Sequence, residues 1–520
     1  MRLLLGIDLG TSGVKVLAVD ENGTVRTSAN ESYPLESPEV GWAEQDPAKW
    51  WAATIDAIDT VLDDQSIDAE DIAGLGLTGQ MHGSVFLDGN GEVLRPAILW
   101  NDQRTTAQCA EIEARVGEDR IVDLASNPPF EGFTAPKILW VRAHEPDVYD
   151  QTETIVLPKD FIRFKLTGEF ATDVSDASGT LLLDVGEREW SAEILDALDV
   201  SREMLPDVYE SPEVTGSIST EVSHRTGLPA GTPVVAGAGD NAAGAVGTGV
   251  IQDGSGWSSI GTSGVVFVAT DDERTDPDGR VHTFCHAVPG KWHVMGVMLS
   301  AGGAFRWFAD TLGGPESLVA DRLETDTFEV LTDEAATIEP GSEGVLFLPY
   351  LNGERTPHRD ADARGVFFGL STRHEKGHVV RSVLEGVTFG LRDSLRIIRE
   401  DLGVDTGQLK ASGGGARSPL WKQIQADVFD ADILTPAVDE GPAYGAALLA
   451  GVGGGVFESV EDACERTVDI VDSVEPIGTH TEVYDEYYAI YESLYPALEE
   501  VFAANADAVA LAEDILEANR

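Results

Sequence analysis

The sequence predicts an α/β chain made of two similarly built domains, and three observations carry that expectation. Its 520 residues are 42% hydrophobic, and because a single core stops growing at roughly 250–300 residues, they should divide into about two domains with a cleft between them. Apolar runs of strand length alternate with segments of helical periodicity. The five letters GTSGV at 10–14 return at 261–265, roughly 250 residues later, and each copy lies between two strand-like runs.

Leu3 to Asp8 and Val14 to Asp20, joined by Gly10-Thr11-Ser12-Gly13, predict an N-terminal β-hairpin. Pro47 to Leu62 has apolar residues at helical spacing behind Asp46, an N-cap residue type, and Ile72 to Leu77 reads as a buried strand. The pattern restarts with strands at Gly256 to Ile260 and Val265 to Ala269, a helix after Gly302-Gly303, strand-like runs at Val345 to Leu348 and Gly365 to Leu370, and a long helix from Val379 to Arg399. A short strand, Leu409 to Ser412, then meets Gly413-Gly414-Gly415 and a helix over Leu420 to Phe429. Strand, glycines and helix in that order let backbone N–H groups and a helix N-terminus meet a nucleotide. The boundaries expected are 1–250, 251–500 and an acidic helical extension at 501–520.

Composition excludes several partners. With 91 acidic against 35 basic residues the net charge is −56, a field that repels nucleic acid and anionic membrane surfaces. The acid excess is spread along the chain and reads as a solvated surface adapted to high salt. Cys109, Cys285 and Cys464 stand far apart with no C-x-x-C pair, which argues against a disulfide framework or a cysteine zinc site and for a reducing cytoplasm. The first apolar stretch is too short for a signal peptide, and no uncharged apolar run approaches the roughly 20 residues of a membrane helix.

Several motifs could carry chemistry. Asp8 ends the first strand directly before the GTSG turn, where a carboxylate can hold Mg²⁺ beside phosphates. Asp240, in Gly239-Asp240-Asn241 at a strand-to-helix junction, has two readings that the local sequence leaves open: a helix N-cap, or a general base that a substrate hydroxyl reaches between small neighbours. Met81 and His82 follow a buried strand and can lie against a small ligand. His282 and His286, four apart, fall in a β-patterned run where that spacing does not gather metal ligands. Gly74-Leu75-Gly76-Leu77-Thr78-Gly79 matches G-x-G-x-x-G, but its glycines lie within the strand and not between strand and helix, so a dinucleotide enzyme is rejected. A Walker A loop is absent, since Gly290-Lys291 is followed by Trp292.

The two GTSG turns, Gly-Asp-Asn, GGGARS at 413–418 and GVFFGL at 365–370, in this order and spacing, resemble the FGGY carbohydrate kinases. The resemblance runs from about Leu5 to about Ala450, and GQMHG at 79–83, PAILWND at 96–102, GFTAPKILWV at 132–141, LPKD at 157–160, VHTFCHA at 281–287 and GERTPH at 353–358 sharpen it. It implies two ribonuclease-H-like domains of the actin-like ATPase type with ATP and sugar in the cleft between them. It further implies transfer of phosphate from ATP to D-xylulose, with another ketose or a polyol as the alternative. Residue by residue, it makes Asp240 the catalytic base and Asp8 the helper of Mg²⁺ and phosphate. Met81, His82, Asp240 and Asn241 become the sugar contacts. Thr11, Ser12, Thr262, Ser263, Gly303, Gly414, Gly415 and Ser418 fall to ATP. The partners expected are ATP and a small sugar, without nucleic acid or membrane, and a homodimer is the assembly considered. A non-catalytic actin-like or chaperone-like ATPase would share the turns without needing Gly-Asp-Asn beside Met-His, and sugar-dependent ADP release separates the two.

The charge generates the first testable outcome. Activity and compactness should fall together as KCl is lowered from molar to millimolar concentrations, because screening of 91 carboxylates is withdrawn. Circular dichroism and turnover followed across that range check it; a chain folded and fully active in dilute buffer contradicts the high-salt reading.

Overall fold

In a computed structural model of the chain, residues 1–438 and 440–517 are described, and they form two compact units. The first is Met1–Gln252 with Ala269–His293 and Ala437–Asp469; the second is Asp253–Val268, Val294–Pro436 and Ile470–Arg520. Two later segments thus fold with the first unit, and residues 501–517 of the expected extension belong to the helix Gly478–Glu517 of the second, while 518–520 lie outside the described residues.

In the first unit the strands run in the order Val214–Ser217, Pro233–Val235, Ile72–Gly79, Leu3–Leu9, Gly13–Asp20, Val25–Ser32. Leu3–Leu9 is antiparallel to Gly13–Asp20 and parallel to Ile72–Gly79, and the two-residue strand Ala238–Gly239 also pairs with Ile72–Gly79. In the second unit Trp292–Met298, Gly264–Thr270, Gly256–Ile260, Gln408–Gly413 and Asp432–Pro436 neighbour one another in that order, again with an antiparallel hairpin followed by a parallel neighbour. With the antiparallel edge strand Val214–Ser217 set aside, each unit therefore has the strand order third, second, first, fourth, fifth of the ribonuclease-H-like class, and the GTSG turns join first to second strand in both.

Leu3–Leu9 shows how alternation sorts its surroundings. Leu3, Leu5, Ile7 and Leu9 pack with Trp50, Ala57, Ile58 and Val61 of the helix Pro47–Leu62. That helix starts where the sequence places it, with Asp46 accepting from the Ala48 amide at 2.9 Å; a cap of this kind contributes about 1 kcal/mol. Leu4 faces the other way, toward the helices Asp240–Gly247 and Pro442–Gly453. With a period of two, Gly6 and Asp8 share the side of Leu4.

On that side the helix Pro442–Gly453 lies on bare backbone. A Cβ on Gly6 would come within 1.9 Å of the Ala443 carbonyl oxygen, on Gly76 within 2.0 Å of Ala446 O, and on Gly74 within 2.6 Å of Ala450 O. Ala443, Ala446 and Ala450 follow at helical spacing, one stripe of one helix. Here the G-x-G of residues 74–76 finds its use: the glycines make room for a helix, and no dinucleotide is needed to explain them. On a second face of the helix, a Cβ on Gly445 would stand 1.8 Å from the Ala243 carbonyl oxygen.

Elsewhere the differences from the periodicity are small. The long helix runs Lys376–Arg396 and continues through Ile397–Asp401 with π-type bonding, and the helix after Gly239 ends at Gly247. Cys109, Cys285 and Cys464 are free and buried. Among the described residues no helix is long and apolar enough to cross a membrane.

Gly445→Ala should be among the most damaging single-methyl additions in the chain, because the contact is with another helix's backbone and not with a side chain that could rotate away. A loss of about 3 kcal/mol or more is expected, the upper range for overpacking. Thermal unfolding in molar KCl measures it, and an unchanged Tm would contradict the close approach.

Candidate active site

The first unit gathers carboxylates at the C-terminal ends of its parallel strands, the end of an α/β sheet where ligands bind. Asp8 is level with Thr78 in the neighbouring strand, and Thr78 is level with Ala238, two residues before Asp240. Asp8 also lies on the sheet face that carries the helix Asp240–Gly247. Both carboxylates are half-buried. Asp8 is pushed up to about 7, first by burial and then by the charge of Asp240, with Lys15 opposing. Lys15, opposite Asp8 in the hairpin, is itself ion-paired with Glu440.

Burial likewise pushes Asp240 up to about 6, partly offset by bonds from Asn241. Its Oδ1 accepts from the Asn241 amide at 2.7 Å and from Asn241 Nδ2 at 2.9 Å. The N-cap position belongs to Gly239, so the N-cap reading of Asp240 gives way: the aspartate is the first helical residue, and Asn241 holds it by one oxygen.

Met81 stands against the same junction, and His82 beside it against Gly179. A Cβ on Gly239 would press on the Met81 side chain at 3.0 Å, and one on Gly179 would reach the His82 ring at 2.6 Å. His82 has φ +69°, a left-handed backbone that a non-glycine residue adopts only when held. The holding is explicit. Its carbonyl accepts from Thr134 Oγ1 at 3.0 Å and from Lys137 Nζ at 2.8 Å, and its ring lies 4.7 Å from that of Phe133. Nδ1 stands 2.6 Å from the Gly179 carbonyl; a carbonyl only accepts, so this nitrogen carries a proton. The segment GFTAPKILWV thus earns its place by fixing a histidine.

The turn Thr11–Ser12 is braced from behind. Gln45 Nε2 donates to Thr11 O at 2.7 Å, Trp100 Nε1 to Thr11 Oγ1 at 2.9 Å, and Thr11 Oγ1 to Gln80 Oε1 at 3.2 Å. Ser12 is exposed. Gln45, Gln80 and Trp100 were not singled out by the sequence reading, although Gln80 and Trp100 stand in two of its quoted motifs.

The second unit carries a cavity of about 630 Å³, lined by Thr262, Gly414, Gly415 and Ser418 together with Phe305, Arg306, Phe328 and Trp421. That volume suits a nucleoside. Phe305 lies 5.2 Å from Phe328 and 5.7 Å from Trp421 between ring centres, and the Arg306 guanidinium stands 5.6 Å from the Phe328 ring. This aromatic wall is the part that glycine-seeking motif reading missed. Gly302 lines the cavity, whereas the Gly303 amide donates to Thr262 O at 3.0 Å and holds the second turn. Ser263 is exposed. Ser418 caps the helix Pro419–Phe429, accepting from the Trp421 amide at 3.3 Å. Gly415 leaves room for Ile260, whose Cβ would be 2.7 Å from an added methyl.

Two family models match the chain: the FGGY family of carbohydrate kinases, N-terminal domain, over residues 3–247, and the C-terminal domain of the same family over 256–454. The chain belongs to the FGGY family of carbohydrate kinases. This FGGY kinase is 40% identical over 495 residues to the xylulose kinase of Bacillus subtilis (strain 168), covering 95% of this chain and 97% of that one. It is 44% identical over 449 residues to the xylulose kinase of Escherichia coli (strain K12), covering 86% and 89%. The crystal structure of the xylulose kinase from Rhodospirillum rubrum has a TM-score of 0.89 at 31% identity, covering 96% of this chain and all of that one. The expected fold, two domains of the actin-like ATPase class, is the family's.

For a metal, Asp8 offers a single carboxylate, and among the described residues no three His, Cys, Asp or Glu side chains gather as a cage. This fits Mg²⁺ better than a transition metal, since Mg²⁺ keeps waters and takes one or two carboxylates plus phosphate oxygens. The crowding of Asp8 by Asp240 is also the electrostatics that a cation would relieve. His282 and His286 serve structure instead: His282 Nδ1 meets Asn127 Oδ1 and His286 Nε2 meets Val250 O, both at 2.9 Å.

Asp240 generates a stability outcome. A carboxyl whose folded pKa lies above its unfolded one binds its proton more tightly in the native chain, so stability is lost as pH rises from about 4 to about 6 and the loss is level above that. Asp240→Asn should therefore raise Tm at pH 8 and leave it unchanged at pH 4. Residual exposure screens the charge, so the gain should stay below about 3 kcal/mol. Thermal scans of both proteins at the two pH values decide it.

Proposed function

We propose that this kinase transfers the γ-phosphoryl group of ATP to the 5-hydroxyl of D-xylulose, with Asp240 as general base. The observation that carries the reading is a single corner of the first unit. There a carboxylate raised to about 6 follows Gly239, which packs on Met81, and the next residue, His82, is held through Nδ1 by the Gly179 carbonyl, in a chain 40% and 44% identical to xylulose kinases.

In the reaction Asp240 accepts the proton of the 5-hydroxyl. The sugar oxygen forms its bond to the γ-phosphorus while the bond from that phosphorus to the β–γ bridging oxygen breaks, giving D-xylulose 5-phosphate and ADP. Phosphoryl transfer asks for positioning and charge neutralisation more than covalent help. A base near 6 is ionised at neutral pH yet still basic enough to attract the proton, the compromise that general-base catalysis favours. Met81, His82 and Asn241 orient the sugar. Backbone N–H groups of the turns at Thr11–Ser12 and Thr262–Ser263 face phosphoryl oxygens, and the aromatic wall of Phe305, Phe328 and Trp421 with Gly414 and Gly415 takes the adenosine. Asp8 is the residue to hold Mg²⁺, which when bound supplies charge neutralisation on phosphate oxygens. The three reduced, buried cysteines and the acid excess support work in a cytoplasm of high salt.

Asp240→Asn should lower kcat by roughly 10²–10⁴ while ATP still binds, the scale of a positioned general base. A variant with near-normal turnover would return Asp240 to a structural role.

Substrate choice is checked by coupled ADP release in molar KCl with pentuloses, hexuloses and glycerol. D-Xylulose should give the highest kcat/KM, and His82→Ala should lower that value while sparing the slow sugar-independent ATPase, since a polar pocket discriminates by leaving its groups unpaired. If glycerol or L-ribulose wins, the kinase stands and the sugar assignment does not.

A further inference from the structure

The mechanism above leaves unused the most deeply buried charge cluster of the first unit. Lys159 is fully buried, and its Nζ stands 2.5 Å from Asp160 Oδ1, 2.9 Å from Asp173 Oδ1 and 3.5 Å from Asp176 Oδ2. One cation among three buried carboxylates is costly, since each desolvated charge must be compensated by its neighbours. Burial also pushes Asp176 well above the usual carboxylate range, so this carboxyl holds a proton more readily than an ordinary aspartate. Such an arrangement contributes little net stability, and what it can provide is a fixed geometry.

The geometry it fixes ends at the base. Asp173 Oδ2 accepts from the Ser175 amide at 2.8 Å, from Ser211 Oγ at 3.1 Å and from Ser175 Oγ. Ser175 Oγ in turn accepts from the Gly239 amide at 3.1 Å, and Gly239 directly precedes Asp240. At the other end of the same loop, Lys159 Nζ lies 3.5 Å from the Ala236 carbonyl. Between these two anchors Gly237 has φ +82°, and a Cβ there would come within 2.1 Å of Leu77 O. The loop 236–239 is thus pressed against the strand Ile72–Gly79 and tied at both ends to the Lys159 cluster.

We infer that Lys159, acting through Asp173 and Ser175, is the positioning residue for Asp240, holding the loop 236–239 so that the carboxylate meets the sugar hydroxyl at reacting distance. The inference rests on Asp240 being the base. A base displaced by a fraction of an ångström loses rate and not binding, because sugar and nucleotide are held by other residues.

The relay can be cut without removing a buried charge. Ser175→Ala should lower kcat about ten-fold or more, with KM for D-xylulose and for ATP within two-fold of the parent. Ser178→Ala, at a buried serine on the same short helix whose hydroxyl donates to Val174 O and accepts from the Cys285 amide but makes no bond to residues 236–239, should leave kcat within two-fold and so controls for simple loosening of that helix. In an Asp240→Asn background the Ser175→Ala loss should vanish, since both act on one event. Lys159→Met, if folded by circular dichroism, should show the same kcat-selective loss; if it does not fold, the serine pair and the double-variant cycle decide. Parent-like kcat in Ser175→Ala, or a loss that persists undiminished in the Asp240→Asn background, overturns the inference while the base assignment stands. Parent-like kcat in Asp240→Asn alone overturns both.

Discussion

The backbone-to-backbone approach of the helix Pro442–Gly453 to the first sheet is the constraint on which the rest of this unit depends. Gly6, Gly74 and Gly76 have no side chain because the carbonyls of Ala443, Ala446 and Ala450 occupy that space, and Gly445 is bare because Ala243 O occupies its own. Contacts this close leave no room for an alternative register, since a one-residue slip would present larger side chains, such as Leu5 or Ile7 and Leu75 or Leu77, where glycines are needed. The same helix packs with Asp240–Gly247, so the glycines that seat it also set how the helix bearing Asp240 lies beside the strand bearing Asp8.

That seating has an electrostatic consequence. Asp8 and Asp240, on either side of the strand Ile72–Gly79 and both half-buried, are raised first by burial, and the charge of Asp240 raises Asp8 further. In a protein whose surface is already strongly acidic, the site can take a third source of negative charge, a polyphosphate, only with cationic help close by. Lys15 is already committed to Glu440.

The two units use one plan differently. Each has a GTSG turn between its first and second strands, yet the first is braced by Gln45, Gln80 and Trp100, while the second is tied to the start of the helix Gly302–Leu312 through the amides of Gly302 and Gly303. The same five letters therefore sit in different surroundings, one beside carboxylates and the other beside an aromatic cavity.

The sequence by itself determined the class of fold, the hairpins around both turns, the capped helix Pro47–Leu62 and the family. Periodicity and turn chemistry are local, and a repeated motif is legible wherever it occurs. It did not say what the glycines of GLGLTG were for, which the close approach of Ala446 and Ala450 carbonyls supplies. Only the tertiary structure decided that Asp240 is not an N-cap, that His82 is locked by a segment more than fifty residues on, and that Phe305, Arg306, Phe328 and Trp421 share one cavity. It alone returned Ala269–His293 and Ala437–Asp469 to the first unit. These facts depend on which residues, from about fifty to hundreds of positions apart, come close together in space. That is fixed by strand register and by the fit of backbone against backbone, neither of which leaves a periodic trace in the sequence of either partner alone.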